Sequence, residues 1–192
     1  MKAKDKLNII KKLSLPPYFI KKGTMAYYFV EEKEMKVLVG LCLNSVFDKE
    51  KFFIEYFVQP LFIPFDTFNL TIGKRIGNYW IKDNISLINK SLIFNKIDSF
   101  KNLLLWVKKN FDTKTIYQYQ FLGYLYLLQD EPEKAILELK KGLEDINEIP
   151  EWKLVEVERI KTIINFIKIN DNSSIFKLFQ QWQNETIQKL KL

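Results

Sequence analysis

Near residue 82 the spacing of the hydrophobic residues turns from strand-like to helical, and no other feature constrains the fold as tightly. From Thr24 to that point apolar side chains alternate or run continuously. In Thr24–Glu31, Met25, Tyr27 and Phe29 alternate with Ala26, Tyr28 and Val30, and Met35–Val46 is β-branched and leucine-rich. These are the marks of strands. FFIEYFVQPLFIPF, from Phe52, is too aromatic for an exposed loop; Pro60 and Pro64 place its end at an edge or a bulge, because proline cannot donate to a ladder. Thr67–Ile76 alternates again and reads as a fourth strand. Charged turns at Glu31–Glu34 and Asp48–Lys51 are short, which favours an antiparallel meander.

A helix precedes the strands. Leu7, Ile10 and Leu13 recur at three-residue steps among lysines, and Pro16 and Pro17 end the run. From Asn84 onward the spacing is helical. Asp98 or Ser99 caps a segment reaching Asn110, followed by helices over Thr115–Leu128, Glu131–Ile146, Glu151–Ile169 and Ser173–Leu190. Pro132 fits a first helical turn, and Pro150 separates the helix over Glu131–Ile146 from that over Glu151–Ile169. The expected fold is therefore α+β: an N-terminal antiparallel β-meander with one helix over residues 1–82, then a helical region over residues 83–192 packed against it.

Charge and residue usage narrow the function. The net charge of +7 is uneven, with seven lysines against one aspartate in Met1–Lys22 and a near-neutral remainder. Lys2, Lys4, Lys6, Lys11, Lys12, Lys21 and Lys22 form a basic terminus able to meet phosphate, although solvated helix faces look the same. The chain has no histidine, which excludes Ser-His and Cys-His nucleophile pairs and histidine-containing zinc sites. Its one cysteine, Cys42, cannot form an intramolecular disulfide and sits in an apolar run, as core packing in a reducing compartment would have it. Glu31, Glu32 and Glu34 occupy a turn, Asp130, Glu131 and Glu133 open a helix, and neither cluster has calcium-loop spacing. The expectation is a cytoplasmic, non-enzymatic protein with no cofactor, no metal and no membrane span.

Tyr119, Leu122, Gly123 and Tyr126, followed by Ala135, Leu139 and Gly142, carry the spacing of a close-packed helical hairpin. Over residues 116–150 this resembles one tetratricopeptide repeat, with Asn147 nearest the place where the repeat has proline. The resemblance implies a helix pair that presents a surface to a protein. The stretch from Phe52 to Gly77 resembles uncharacterised bacterial α+β domains, which implies a fold and no activity.

Gly73, Lys74, Arg75 and Gly77 lack the Gly-Lys-Ser/Thr of a phosphate loop, so Lys74 and Arg75 read first as strand-end cations and second as an anion contact. The leading functional expectation is a non-catalytic protein-protein interaction module, an accessory or adaptor subunit of a bacterial or phage complex, with Tyr119, Tyr126, Phe57 and Trp80 at its partner surface. The alternative is nucleic-acid binding through Lys11, Lys12, Lys21 and Lys22, with Lys74 and Arg75 assisting. Aromatic stacking on bases requires cations interleaved with exposed rings, and the aromatic strands have few basic neighbours in sequence.

Overall fold

The computed structural model describes residues 2–69, 72–83, 85–92, 96–111, 115–144 and 153–192. Helix α1 (Ala3–Lys12) leads into five strands, β1 (Ile20–Lys22), β2 (Met25–Glu32), β3 (Met35–Ser45), β4 (Lys51–Pro60) and β5 (Gly73–Trp80). They form one antiparallel sheet in sequence order, β1-β2-β3-β4-β5. Helices α2 (Ile85–Ser91), α3 (Phe100–Asn110), α4 (Ile116–Leu128), α5 (Pro132–Glu144), α6 (Leu154–Lys168) and α7 (Asn172–Leu190) follow. The α+β meander-then-helices architecture is the one the hydrophobic spacing predicts.

Three details differ from that prediction. The short lysine-rich strand β1 carries too little apolar pattern to be seen in sequence, yet it pairs Ile20 to Lys22 with Tyr27 to Met25. Helix α2 was not resolved as a separate element by its spacing. The strand expected at Thr67–Ile76 is instead Gly73–Trp80. Thr67 and Asn69 lie outside any strand: the Gln59 side chain, fully buried, accepts from the Asn69 amide at 3.1 Å and donates to the Thr67 carbonyl at 3.4 Å. Asn84, Asn147, Pro150 and Glu151, used above to mark boundaries, lie outside the described residues.

One face of the sheet carries Ala26, Tyr28, Val30, Val37, Val39, Leu41, Leu43, Phe52, Ile54 and Val58, and these merge with Ile10, Leu13, Phe100, Phe121, Tyr124, Ile160 and Phe179 in a single continuous core. Strands and helices therefore share their apolar interior, and residue 82 marks a change of secondary structure within it. The opposite face is also apolar at its centre. There Tyr27, Leu38, Cys42, Phe57 and Leu61 are covered by the last turn of α7 through Leu190, with Ile187 and Leu192 beside it. A sheet buried on both sides explains why β3 reads as a continuous apolar run.

Side chains from the strands cap the helices and the reverse. Ser99 Oγ accepts from the Asn102 amide at 3.2 Å, as its N-cap position predicts, and Glu32 of β2 accepts from the Phe100 amide at 2.7 Å. A carboxylate at that helix N-terminus meets both the unpaired amides and the helix dipole. Immediately after Glu32, the two turn residues Lys33 (φ 47°) and Glu34 (φ 65°) both have left-handed backbones without being glycine. They are the two central residues of the tight hairpin that joins the paired Glu32 and Met35, a turn that needs positive φ at both, and their side chains tie it to the helices. Lys33 pairs with Asp130 at 2.6 Å, and Glu34 accepts from Gln180 at 2.7 Å.

Gln183 of α7 completes that junction. Its amide accepts from Lys36 N at 2.6 Å and donates to the Glu34 carbonyl at 2.9 Å, with the residue only 7% exposed. Gln183→Leu keeps the volume and strands both backbone groups, so unfolding free energy is expected to fall by about 2–4 kcal/mol. Urea denaturation followed by circular dichroism checks this, and a loss under about 0.5 kcal/mol would show that water takes the amide's place.

Candidate functional site

Strand β5, the sheet edge remote from β1, brings exposed rings and cations together. The register explains what this strand displays. Lys74 pairs with Tyr56 and Arg75 with Glu55, but Ile54 pairs with Gly77, leaving Ile76 as an extra residue in a β-bulge. Alternation puts Lys74 on the helix-bearing face and Arg75 on the other. Arg75 lies with its guanidinium carbon 3.8 Å from the Phe53 ring centroid. The bulge turns Ile76 outward, 36% exposed.

On the helix side, β5 and α3 bound an open cleft of about 670 Å³. Lys74 from β5, Lys96 from the segment before α3 and Lys109 from the last turn of α3 line it, together with Asn102, Asn110 and the rings of Tyr56 and Trp106. Lys74 Nζ donates to Asn110 Oδ1 at 2.8 Å, and Asn110 Nδ2 donates to the Trp106 carbonyl at 2.8 Å. The rings of Tyr56 and Trp106 are 5.4 Å apart. Burial holds the Tyr56 phenol far above its ordinary range, and the nearby Tyr28 hydroxyl, 3.4 Å away, adds to this. Tyr56 is therefore neutral throughout the physiological range and presents no competing negative charge to the lysines.

At the end of the same strand is a groove of about 570 Å³ lined by Phe47, Asp48, Lys51, Tyr79, Trp80 and Arg75 among others. Phe47 is wholly exposed, at 106% of its reference area, and Trp80 is 37% exposed. Lys51 Nζ sits 4.0 Å and Lys82 Nζ 5.3 Å from the Trp80 ring centroid. Carboxylates are interleaved here: Asp48 pairs with Lys51 at 3.2 Å, and Asp83 accepts from the Trp80 amide at 2.7 Å.

The structure separates the residues singled out in sequence. Trp80, Lys74 and Arg75 lie along β5 as expected of surface groups. Phe57 is completely buried under Leu61 and Leu190, and Tyr126 is 6% exposed with its hydroxyl accepting from Lys108, so neither offers a partner any surface. Tyr119 is half-buried against Gly142, where an added Cβ would come within 3.0 Å of the tyrosine Cβ.

Helices α4 and α5 pack against each other, with Gly123 facing the Leu139 side chain and the Ala135 carbonyl. Yet ten of the thirteen residues of α4 are buried, which makes it a central core helix with no open concave side. Lys21 donates to the Leu13 carbonyl at 2.7 Å and the Lys11 carbonyl at 3.1 Å, capping α1, and Lys22 donates to the Lys191 carbonyl at 2.6 Å. Lys11 and Lys12 are exposed, but Lys12 shares its groove with Asp5 and Asp83. None of these four lysines lines the cleft with Lys74. Lys96, Lys109 and Trp106 went unremarked in sequence as site residues; two lysines at the end of a helix gave only the usual dipole signal.

Among the described residues no group of three or more Cys, Asp or Glu is placed to hold a metal ion, and no helix is long and apolar enough to cross a membrane. Burial pushes the Cys42 thiol up to about 12, with the charge of Glu55 adding to the rise and the amide of Asn44, 3.4 Å away, opposing it. Because the folded value exceeds the unfolded one, Cys42 favours the fold fully below about pH 9, and that contribution is lost as pH rises toward 12. Raised values at Tyr28 and Tyr124 act in the same direction. Melting temperature is therefore expected to fall progressively above about pH 9, and Cys42→Ala to flatten the early part of that fall. A profile unchanged by the substitution would contradict the buried thiol.

Comparison of the chain with protein-family models, curated proteins and solved structures finds no match.

Proposed function

We propose that this is a non-catalytic interaction protein, an accessory subunit that holds a protein partner against the Phe47–Trp80 end of strand β5. The observation that carries the reading is Phe47, a large ring fully in water beside the half-open Trp80, Tyr79 and Arg75 in one groove. Tyr, Trp and Arg dominate the energetic centres of protein interfaces, and large apolar rings left in solvent mark contact surfaces. Asp48 and Asp83 support a protein here over a phosphate polymer, which their charge would repel. The α4–α5 hairpin supplies no docking surface in this reading.

A photo-crosslinking residue placed at Phe47 in the native host tests it. One discrete protein adduct, absent when the same residue replaces the exposed Leu137 of α5 and lost with Trp80→Ala, is the expected result. Adducts identical at the two positions, or none at Phe47, would refute it.

Single-strand nucleic acid is the second reading. It is favoured by cations seated over rings at Trp80 and Phe53, the interleaving that the sequence did not display. It requires binding that weakens steeply with salt and falls about tenfold or more in Arg75→Gln with Lys82→Gln. Salt-insensitive retention on an oligonucleotide column would remove it.

A further inference from the structure

We infer that the β5–α3 cleft is a binding site for a small ligand carrying a diphosphate or triphosphate group. This stands apart from the partner-docking reading, which uses the groove at the strand's end.

Three lysines from three separate elements, Lys74, Lys96 and Lys109, line one cleft together with Arg75, and among the described residues that line it there is no carboxylate. The carboxylate beside it, Asp98, accepts from Asn102 Nδ2 at 2.8 Å. Concentrating like charge without a counter-ion is unfavourable, and a bound anion relieves it. Lys74 is also held in place. Its ammonium is fixed on Asn110, which is itself tied to the helix backbone, so part of the side-chain ordering that a ligand would otherwise impose is already complete.

Charge decides the ligand class. One carboxylate would neutralise a single lysine, whereas a phosphate group brings about −1.5 to −2 and a diphosphate or triphosphate matches three lysines. Lysines, as compact point charges with rotatable donors, suit phosphate, and the guanidinium of Arg75, also in the lining, matches phosphate oxygens in pairs. A cleft of about 670 Å³ exceeds what phosphates alone fill and lies within the range of small-molecule sites. The rings of Tyr56 and Trp106 supply an apolar wall for the rest of the ligand.

The test is calorimetric titration of the full chain with sodium pyrophosphate and with tripolyphosphate at about 50 mM salt, where electrostatic binding is strongest. The expected result is saturable one-to-one binding. In Lys96→Gln with Lys109→Gln it should weaken by about tenfold or more, while Lys11→Gln with Lys12→Gln should leave it within about twofold. All four lysines are exposed, and thermal melts verify that both variants fold.

Absence of saturable heat would overturn the proposal. So would equal weakening in the two double variants, since net charge alone would then account for binding. Tighter binding of an octaglutamate peptide would reassign the cleft to acidic protein segments. Tighter binding of a thymidine oligomer, lost in the cleft variant, would reassign it to nucleic acid. The crosslinking result at Phe47 is independent of each of these outcomes.

Discussion

Phe62→Ala is expected to lower the free energy of unfolding by about 3–5 kcal/mol. Phe62 follows β4 in the PLFIPF stretch and is fully buried. Its ring centroid lies 6.2 Å from that of Phe100 in α3, 6.3 Å from Phe121 in α4 and 5.5 Å from Phe179 in α7. One side chain thus joins the sheet's trailing loop to three helices. Truncation removes the transfer free energy of the ring and leaves a void walled by other rings, which are too rigid to collapse into it. Ring pairs add about 0.5–1.5 kcal/mol beyond the area they bury. The midpoint of urea denaturation measures the effect, and an unchanged slope would keep the comparison two-state. A loss below about 1.5 kcal/mol would mean that α3, α4 and α7 close the gap by moving, so that the core would be softer than its packing implies.

Gly40→Ala is also expected to be costly, by about 3 kcal/mol, at the upper end of overpacking costs. A Cβ at Gly40, in the middle of β3, would stand 2.6 Å from the Ala26 carbonyl oxygen, 2.8 Å from Tyr27 Cβ and 3.0 Å from Tyr27 Cα. Two of these three atoms are main chain in the neighbouring strand. They can retreat only by opening the β2–β3 ladder, in which Tyr27 pairs with Gly40 itself. Gly123→Ala is the informative contrast. There the nearest atoms, at 2.6 Å, are Cγ and Cδ2 of Leu139, which can rotate, and alanine restores helix propensity worth about 1 kcal/mol. Its net cost should stay near or below about 1 kcal/mol. If the two variants prove equally stable, strand separation at Gly40 is less rigid than the ladder geometry requires.

These two glycines also show how far the sequence can be read. Gly123 belongs to a local pattern, a helix pair whose partners lie within twenty positions, and periodicity together with Ala135 and Leu139 places it correctly. Ser99, Pro132 and the proline pair after α1 were legible for the same reason: each acts on neighbours a turn away. Gly40 meets Tyr27 across a hairpin, and nothing local announces the clash. The displaced start of β5 is a similar case, because Gln59 secures Thr67 and Asn69 through its side chain and the alternation of TFNLTI says nothing of that.

The candidate site was legible only in fragments. Lys74 and Arg75 were visible as cations, but which face of the sheet each one takes depends on pairing with β4. Lys96 and Lys109 come to line one cleft with Lys74 only when α3 docks on the sheet. Aromatic residues in strands have two possible fates, and sequence gave Phe57 and Trp80 the same standing; the last turn of α7 covers the first and leaves the second in water.

The extra residue in β5 has a bearing on how these molecules behave when crowded. A strand arriving from a neighbouring copy would have to match a row of amides and carbonyls broken at Ile76, and its register would fail within a few residues of the bulge. Exposed rings at that rim can therefore favour contact with side chains without seeding edge-to-edge polymers, so a sticky margin and a stable solution are compatible in one chain.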